Sequence, residues 1–252
     1  MSHPQQSYFV HRDAAARYEQ YRPKVHQIAV EWLRAHGWGR FQRALDIACG
    51  TGDSMLPLLN LASQVEGIDL SDAMLDHARS KGLSVRRASY EEVAPGIYDL
   101  LSVRMAFHWF DAPTAVQAFK RASSERAVWL IYNFWLGGAP GNAMLDEWLR
   151  SGYLQRFPSP RRSSTRFALP EGDRSLRIAG EGRGALTLQL HRDQLVGYLT
   201  TQSNVEAAIA AGISYAQAEQ LLDAEMPPFS LVEDMSYAYD YAIVEFRRAA
   251  AE

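Results

Sequence analysis

The sequence predicts an α/β protein with a doubly wound, Rossmann-like and mostly parallel sheet, an antiparallel C-terminal strand and a helical cap. From residue 41 to residue 136, short apolar runs stopped by glycines alternate with helical segments of about ten residues. This pattern is typical of buried parallel strands joined by right-handed helical crossovers. Near the C-terminus, the run MSYAYDYAIVEF alternates along its length as a strand exposed on one face does. A chain of 252 residues fits one large domain, or a core domain with a smaller cap.

Residues 1–40 are predicted to form an N-terminal helical cap segment. The run DAAARYEQYR is a short helix, and Pro23 stops it and suits the first turn of the next helix. In that second helix, apolar residues recur at helical spacing from Val25 to Leu33, and Gly37 ends it.

Residues 41–136 are predicted to form the core, with five strands and the helices between them. The strands are RALDIA, VEGIDL, LSVRRAS, IYDLLSVRMA and RAVWLIYNFW. The helices are DSMLPLLNLAS, SDAMLDHARSKG and DAPTAVQAFKRAS. Ser71 is the expected N-cap of the second of these helices, and Gly82 follows its end.

Residues 137–230 are predicted to be a mostly helical insertion on the substrate side of the core. A glycine-proline linker opens it, and a loop-rich stretch with weak strand signals occupies its middle. Residues 231–252 are expected to complete the core sheet as an antiparallel edge strand. Its three alternating tyrosines are expected to pack on one face, and they are Tyr237, Tyr239 and Tyr241.

Composition narrows the functional classes. A net charge of −3 gives no support to a nucleic-acid partner, because such proteins usually carry a basic surplus. No apolar run approaches the roughly 20 residues that a bilayer crossing needs, and the N-terminus lacks the apolar stretch of a signal peptide. Cys49 is the single cysteine, which excludes an internal disulfide and a cysteine-cluster metal site. We therefore expect a cytoplasmic protein with no membrane partner and no metal.

The run ALDIACGTGDS places a glycine turn directly after the first core strand, with an acid before it and another at the end of the next strand. A dinucleotide-binding turn has a third glycine three residues after the second, but Met55 occupies that position here. Asp46, four residues before Gly50, would repel a pyrophosphate and attract an ammonium group. Asp69 ends the second strand, where it can accept both hydroxyls of a ribose. A ligand with a cationic amine, a ribose and no phosphate fits both acids, and S-adenosylmethionine is such a ligand.

At this point the chain resembles the class I S-adenosylmethionine-dependent methyltransferases, in particular the small-molecule branch that includes trans-aconitate methyltransferase. The resemblance rests on LDIACGTGDS, VEGIDLSDAML, ASYEEVAPGIYDLLSV and MAFHWFD, which occur in order over roughly residues 9–135, and on the N-terminal YEQYRP. It implies a cofactor site for S-adenosylmethionine and its product S-adenosylhomocysteine. At the methionine end it implies Asp46, Ala48, Gly50 and Gly52, and around the adenosine Asp69, Leu70, Ser89 and Tyr90. Arg104, at the end of the fourth predicted strand, is assigned to the same site. Many relatives have an aspartate where Ser89 stands, so Ser89 departs from the family pattern.

Candidate residues for the chemistry follow the fourth predicted strand. His108 is the candidate general base, since histidine titrates near neutral pH, or else it positions the loop beside Trp109. Trp109 and Phe110 are candidates for the wall of the substrate pocket, or else core residues. Methyl transfer to a nucleophile without a proton needs no base, so catalysis then rests on positioning.

The N-terminal helices contribute the other substrate-binding candidates. These are Tyr18, Tyr21 and Arg22, because the resemblance places this segment over the cofactor. Packing is the alternative role for the tyrosines. Seven further arginines, from Arg156 to Arg183 inclusive, suggest an anionic, carboxylate-bearing substrate or, alternatively, a solvated loop.

The predicted function is S-adenosylmethionine-dependent methyl transfer to a small organic molecule. A nicotinamide-dependent oxidoreductase and a non-catalytic S-adenosylmethionine binder are the alternatives. Methylation of nucleic-acid bases is disfavoured, because VRMAFHWF stands where an Asn/Asp-Pro-Pro-aromatic motif would follow the fourth strand.

Overall fold

The computed structural model describes residues 11–160 and 167–248 and confirms the predicted fold class. In this part of the chain seven strands form one sheet: β1 (Phe41–Ile47), β2 (Ala62–Asp69), β3 (Ser84–Arg87), β4 (Tyr98–Arg104), β5 (Ser123–Gly138), β6 (Leu176–Leu190) and β7 (Glu233–Arg247). Their order across the sheet is β3-β2-β1-β4-β5-β7-β6. The pairs among β1 to β5 are parallel, and the C-terminal strand is antiparallel. From β1 the chain adds β2 and β3 on one side, and it then returns to add β4 and β5 on the other side of β1. In sheets of this kind ligands bind at the carboxyl ends of the strands where the strand order reverses, which here is between β1 and β4.

The described helices are α1 (Arg12–Tyr21), α2 (Gln27–Ala35), α3 (Met55–Leu58), α4 (Asp72–Ser80), α5 (Ala112–Ala122), α6 (Ala143–Arg150), α7 (Gly152–Arg156), α8 (Arg192–Thr200), α9 (Ser203–Ala210) and α10 (Tyr215–Glu225). Ser71 caps α4 as predicted, since its hydroxyl accepts a hydrogen bond from the Met74 N–H at 3.3 Å. None of the described helices is both long enough and apolar enough to cross a membrane.

The chain divides into two compact units. One comprises Met1–Pro23, Phe134–Arg161 and Gly184–Tyr239, and the other comprises Lys24–Asn133, Arg162–Arg183 and Asp240–Glu252. We call the second the core unit, because it contains β1 to β4 and most of α2 to α5 with their connections, and we call the first the helical unit. The boundaries fall inside β5, β6 and β7, so each of these strands contributes residues to both units.

Two helices differ from the predictions. Helix α2 begins at Gln27 rather than at Pro23, and the chain from Pro23 to Val25 has no regular structure. Helix α3 covers four residues instead of the whole run DSMLPLLNLAS. The reason is that the carbonyl of Leu61 already accepts a hydrogen bond from the Phe41 N–H at 2.8 Å, so the chain must turn back into the sheet within a few residues.

The C-terminal part of the sheet also differs from the predictions. The stretch predicted as loop-rich contains the long strand β6, which takes the sheet edge, so the prediction of β7 as an edge strand was wrong. Glycines at alternate positions explain why β6 was not predicted, because glycine is uncommon inside strands. They are needed because rings lie over them: a Cβ on Gly180 would come within 2.3 Å of the His36 ring, and one on Gly182 within 2.7 Å of the Tyr241 ring.

The predicted packing role of the three β7 tyrosines is confirmed. In the core unit, Tyr241 stacks on Trp32 with ring centroids 4.3 Å apart. In the helical unit, Tyr237 stacks on Phe134 at 5.3 Å, and the ring of Tyr239 lies edge-on to Phe134 at 6.1 Å. These aromatic contacts pack β7 against Phe134 of β5 and Trp32 of α2.

Candidate functional site

The glycine turn after β1 has a backbone that most residues avoid. Ala48, Gly50 and Gly52 all have positive φ, at 58°, 55° and 84°. A Cβ on Gly52 would come within 2.4 Å of the Leu83 side chain, so packing as well as φ requires glycine there. Around Gly50 nothing lies within 4 Å of the Cβ position, which leaves space for a ligand against the backbone. A positive φ at Ala48 is strained, and such strain concentrates at functional sites.

The sequence position that would hold the third glycine of a dinucleotide site carries a structural side chain. Met55 is fully buried, and its sulfur would lie 2.5 Å from a Cβ on Gly67. Helix α3 that follows is only one turn long. A pyrophosphate needs a glycine-rich approach to a full helix N-terminus, and this turn does not supply one.

Asp46 is a buried acid at the end of β1. Ser54 donates its hydroxyl proton to Oδ2 of Asp46 at 2.6 Å, while Oδ1 is buried and has no hydrogen-bond partner among the residues that the structure describes. Burial raises the pKa of Asp46 from 3.8 to about 6, against the opposing effects of the Ser54 and Ser102 hydroxyls and the positive charge of Arg104. An acceptor left open in this way suits a cationic donor from a ligand.

Asp69, at the end of β2, is held by backbone groups. Its Oδ2 accepts the Gly50 N–H at 2.9 Å and its Oδ1 accepts the Ser71 N–H at 2.8 Å. Burial raises the pKa of Asp69, and the two N–H groups lower it. Since each carboxylate oxygen can accept more than one hydrogen bond, Asp69 keeps capacity for ligand hydroxyls. Leu70 beside it is 40% exposed and offers an apolar surface.

Ser89 and Tyr90 have structural partners. The Ser89 hydroxyl accepts the Glu91 N–H at 3.2 Å, and its own N–H donates to Glu92 at 2.7 Å, which forms a capping box on a short 3-10 helix. Tyr90 is buried and lies 4.6 Å from Phe110, measured between ring centroids. Ser89 therefore acts as the N-cap of this short helix.

The end of β4 brings the remaining core-unit candidates together. Arg104 is buried, and its Nη1 lies 2.9 Å from Nε2 of His26. A short 3-10 helix, Phe107–Trp109, places His108 in a buried position with its ring 4.7 Å from that of Trp109. His108 therefore lies in the loop that follows β4, as predicted, and its role as a base or as a positioning residue stays a prediction.

The substrate-binding candidates Tyr18, Tyr21 and Arg22 belong to the helical unit. Arg22 is buried there and donates from Nη2 to the Thr201 carbonyl at 2.7 Å, with its guanidinium over the rings of Tyr18 and Tyr198. Tyr21 packs directly against Gly197. Each thus has a packing or bonding role within its own unit, and substrate binding by these residues stays a prediction.

The arginine-rich segment is only partly described. Arg156 forms an ion pair with Glu225, and Arg177 forms one with Glu245 at 2.7 Å. Arg161, Arg162 and Arg166 lie outside the described residues. In both pairs the arginine side chain is partly exposed on the surface of its unit. This favours the interpretation that these two arginines are solvated and do not bind a substrate.

Several residues that contact the glycine turn or Arg104 were not predicted from the sequence. Asp53 is buried and forms ion pairs with Lys24 and Lys81. His26 meets Arg104 from 78 positions away in the chain. The one feature of the sequence that could have pointed to Lys24 and Lys81 is the rarity of lysine, since they are two of just three lysines among 26 basic residues. Within the described ranges, no group of three or more His, Cys, Asp or Glu residues is arranged to hold a metal ion.

Known proteins resemble this chain in sequence and in structure. Residues 44–124 match the family model of a methyltransferase domain. A protein of Dictyostelium discoideum, named as a methyltransferase, is 21% identical over 202 residues, which cover 77% of each chain. The ubiquinone biosynthesis O-methyltransferase of Burkholderia cenocepacia is 29% identical over 121 residues, 43% of this chain and 51% of the relative, so this match spans about half the relative's length.

Among solved structures, one described as a type II methyltransferase from Anaeromyxobacter dehalogenans has a TM-score of 0.60 with 21% identity, covering 90% of this chain and 98% of that one. This likeness shows the fold. The family match begins inside β1 and extends beyond β4, so it includes the glycine turn and both acids of the site described above. Residues 44–124, which contain the glycine turn and both acids, are therefore similar to a methyltransferase domain.

Proposed function

We propose that the protein transfers a methyl group from S-adenosylmethionine to a small organic molecule. The arrangement of two acids around an open glycine turn is the observation that supports it. Oδ1 of Asp46 is a buried acceptor with no hydrogen-bond partner in the described chain, and Asp69 is oriented by the N–H groups of Gly50 and Ser71 with accepting capacity left over. These groups match the ammonium and the ribose of the cofactor.

The residues present fit the rest of the cofactor as well. Arg104 can donate from its planar guanidinium to a carboxylate of the cofactor, and it lies close enough to the glycine turn to lower the pKa of both Asp46 and Asp69. Leu70 offers an exposed apolar surface for the adenine ring. When bound, S-adenosylmethionine supplies an activated methyl group on a positively charged sulfur. The protein then has to orient the acceptor and exclude water, and it needs a base only if the acceptor carries a proton.

His108 is the proposed base for a protonated acceptor, and positioning of Trp109 is its alternative role. The two roles are separable by kinetics. If His108 accepts a proton, His108→Asn lowers kcat and removes a pH-dependent limb of the rate profile. If it positions the loop, the same variant raises KM and leaves the shape of the pH profile unchanged.

The nature of the acceptor is the finer part of the proposal. A small molecule is favoured because the Burkholderia cenocepacia relative is named as an O-methyltransferase of ubiquinone biosynthesis. The proposal that the acceptor carries a carboxylate is based on the arginine-rich segment and on Arg22. Arg156 and Arg177 do not support it, because each forms an ion pair with a glutamate. The narrower resemblance to the trans-aconitate branch stays a prediction.

Calorimetry on the purified protein tests the cofactor assignment. S-adenosylhomocysteine should bind with a dissociation constant of the order of micromolar, corresponding to about 8 kcal/mol, and NAD and NADP should not bind. Release of S-adenosylhomocysteine is then measured against a panel of anionic, neutral and cationic acceptors. Binding of a nicotinamide cofactor in place of S-adenosylhomocysteine would overturn the proposal, and cofactor binding without turnover on any acceptor would favour a non-catalytic binder.

A further inference from the structure

We propose that the segment Lys24–His26 positions both sides of the cofactor site, with Lys24 holding the glycine turn through Asp53 and His26 orienting Arg104. This inference rests on the proposed function. Neither residue belongs to the glycine turn or to a strand end. Both lie on the short connection between α1 and α2 and within the core unit.

Lys24 acts on the turn through the carboxylate of Asp53, the residue that follows Gly52. Asp53 is 5% exposed, and a buried carboxylate needs positive partners to remain ionised. The Lys24 ammonium lies 3.1 Å from Oδ2 of Asp53, and the Lys81 ammonium lies 2.5 Å from Oδ1. Lys81 also donates to the Thr51 carbonyl at 2.9 Å, so it contacts the turn at two residues, whereas Lys24 contacts it through Asp53.

His26 acts on the other side of the site through Arg104. The guanidinium of Arg104 has donors only, so Nε2 of His26 must be the acceptor in their 2.9 Å contact. The imidazole is therefore neutral, with its proton on Nδ1. The environment agrees with this assignment: burial, then the charges of Arg104, Lys24 and Lys81, hold the pKa of His26 well below its usual range. A neutral acceptor fixes the direction of the guanidinium without cancelling its charge.

The two contacts belong together because only Val25 separates their residues. One reaches the turn after β1 and the other reaches the end of β4, which are the two strands that flank the switch point of the sheet. Asp53, His26 and Arg104 are each at least nine-tenths buried, whereas the Lys24 side chain is half exposed, so each of the two contacts has at least one partner shielded from water. A three-residue segment thus contacts both the residue that follows Gly52 and the arginine proposed for the carboxylate of the cofactor.

A positioning role and a merely stabilising role predict different ligand selectivity. S-adenosylhomocysteine carries the amino-acid end that Asp46 and Arg104 are proposed to bind. 5′-Methylthioadenosine keeps the adenosine and the sulfur but lacks that end. Loss of His26 should therefore weaken the first ligand and spare the second, whereas general loosening of the fold would weaken both.

The variants are His26→Leu, His26→Gln, Lys24→Met and, as a matched control, Lys120→Met. Lys120 is the third lysine, and it forms its own ion pair with Asp173 in the same unit. Calorimetry should show that His26→Leu weakens S-adenosylhomocysteine by roughly tenfold or more, the effect of losing one hydrogen bond to a charged group, with 5′-methylthioadenosine changed by less than about twofold. His26→Gln, whose side-chain carbonyl can still accept from Arg104, should recover most of the affinity.

Lys24→Met should speed hydrogen exchange at the amides of residues 50–53 in the ligand-free protein, and Lys120→Met should not. Equal weakening of both ligands by His26→Leu, or failure of His26→Gln to recover affinity, would overturn the role of His26. Unchanged exchange at the turn in Lys24→Met would overturn the role of Lys24. If the wild type binds neither ligand, the proposed function fails, and the role of Lys24 is still decided by the exchange experiment.

Discussion

Replacing Asp46 with asparagine should make the protein more stable and, at the same time, unable to bind its cofactor well. The carboxyl group ends β1 with no solvent exposure, one of its oxygens has no hydrogen-bond partner in the described chain, and burial raises its pKa to about 6. The folded protein therefore bears a cost whenever this group is ionised. An amide of the same shape removes that cost and keeps an oxygen for the Ser54 hydroxyl.

The size of the effect follows from the two pKa values. The carboxyl ionises at its ordinary value of 3.8 in the unfolded chain and at about 6 in the folded protein. At about 1.4 kcal/mol for each pH unit, ionising Asp46 lowers the free energy of unfolding by about 3 kcal/mol. Asp46→Asn should recover up to this amount, because the buried hydroxyl of Ser102, opposite Asp46 in β4, offers an acceptor for the new amide hydrogens.

The raised pKa of Asp46 also determines how the free energy of unfolding changes with pH. Between pH 3.8 and about 6 the folded protein holds a proton that the unfolded chain has released, so the free energy of unfolding of the wild type falls as the pH rises through this window. The variant has no such proton. The difference between the two proteins should be close to zero below pH 3.8 and reach its full value above about pH 6.

Urea denaturation followed by circular dichroism at several pH values between 4 and 8 measures this difference, and calorimetry with S-adenosylhomocysteine measures binding. Asp111→Asn is the control, since Asp111 is an exposed N-cap of α5 and asparagine caps a helix as well as aspartate does. It should leave stability and binding close to wild type. An Asp46→Asn variant that is no more stable than wild type at pH 8, or that binds S-adenosylhomocysteine as tightly, would refute the reasoning.

Three further predictions follow from the described contacts. Asp69→Ala should weaken S-adenosylhomocysteine by roughly 100-fold or more in calorimetry, because two hydrogen bonds to a charged group are lost at roughly 1.5–3 kcal/mol each. Gly52→Ala should lower the free energy of unfolding in urea by about 1–3 kcal/mol, since the added methyl group meets Leu83 at 2.4 Å and φ is 84°. Glu206→Gln should remove a fall in thermal stability between about pH 4.5 and 7, because burial raises the pKa of Glu206 to about 7 and the wild type gives up that proton on unfolding in this range.

Each of these has a matched comparison. Asp69→Asn keeps the shape but not the charge and should fall between Asp69→Ala and wild type. Gly39→Ala should be tolerated, because nothing lies within 4 Å of its Cβ position. For Glu206, whose carboxylate accepts from the Tyr215 hydroxyl at 2.7 Å, a pH profile identical in variant and wild type would contradict the assignment.

The sequence by itself determined the core of the fold and the front of the site. Alternation of apolar runs and helical segments predicted β1 to β5, and the parallel-strand rule brought Asp46 and Asp69 to one edge of the sheet. These inferences succeed because each depends on residues close together in the chain. The argument against a dinucleotide site, from Met55 in place of a third glycine, likewise depends only on local spacing. The structure adds that the Met55 side chain is buried in the core.

Only the tertiary structure decided what surrounds these residues. The pKa of Asp46 is set by burial, and the direction of Arg104 is set by a histidine 78 positions earlier. Asp53 receives its lysines from 29 and 28 positions away, on opposite sides along the chain. The edge position of β6 depends likewise on rings from elsewhere that lie over its glycines. Contacts of this kind are determined by packing between distant segments, and neither periodicity nor local spacing carries information about them.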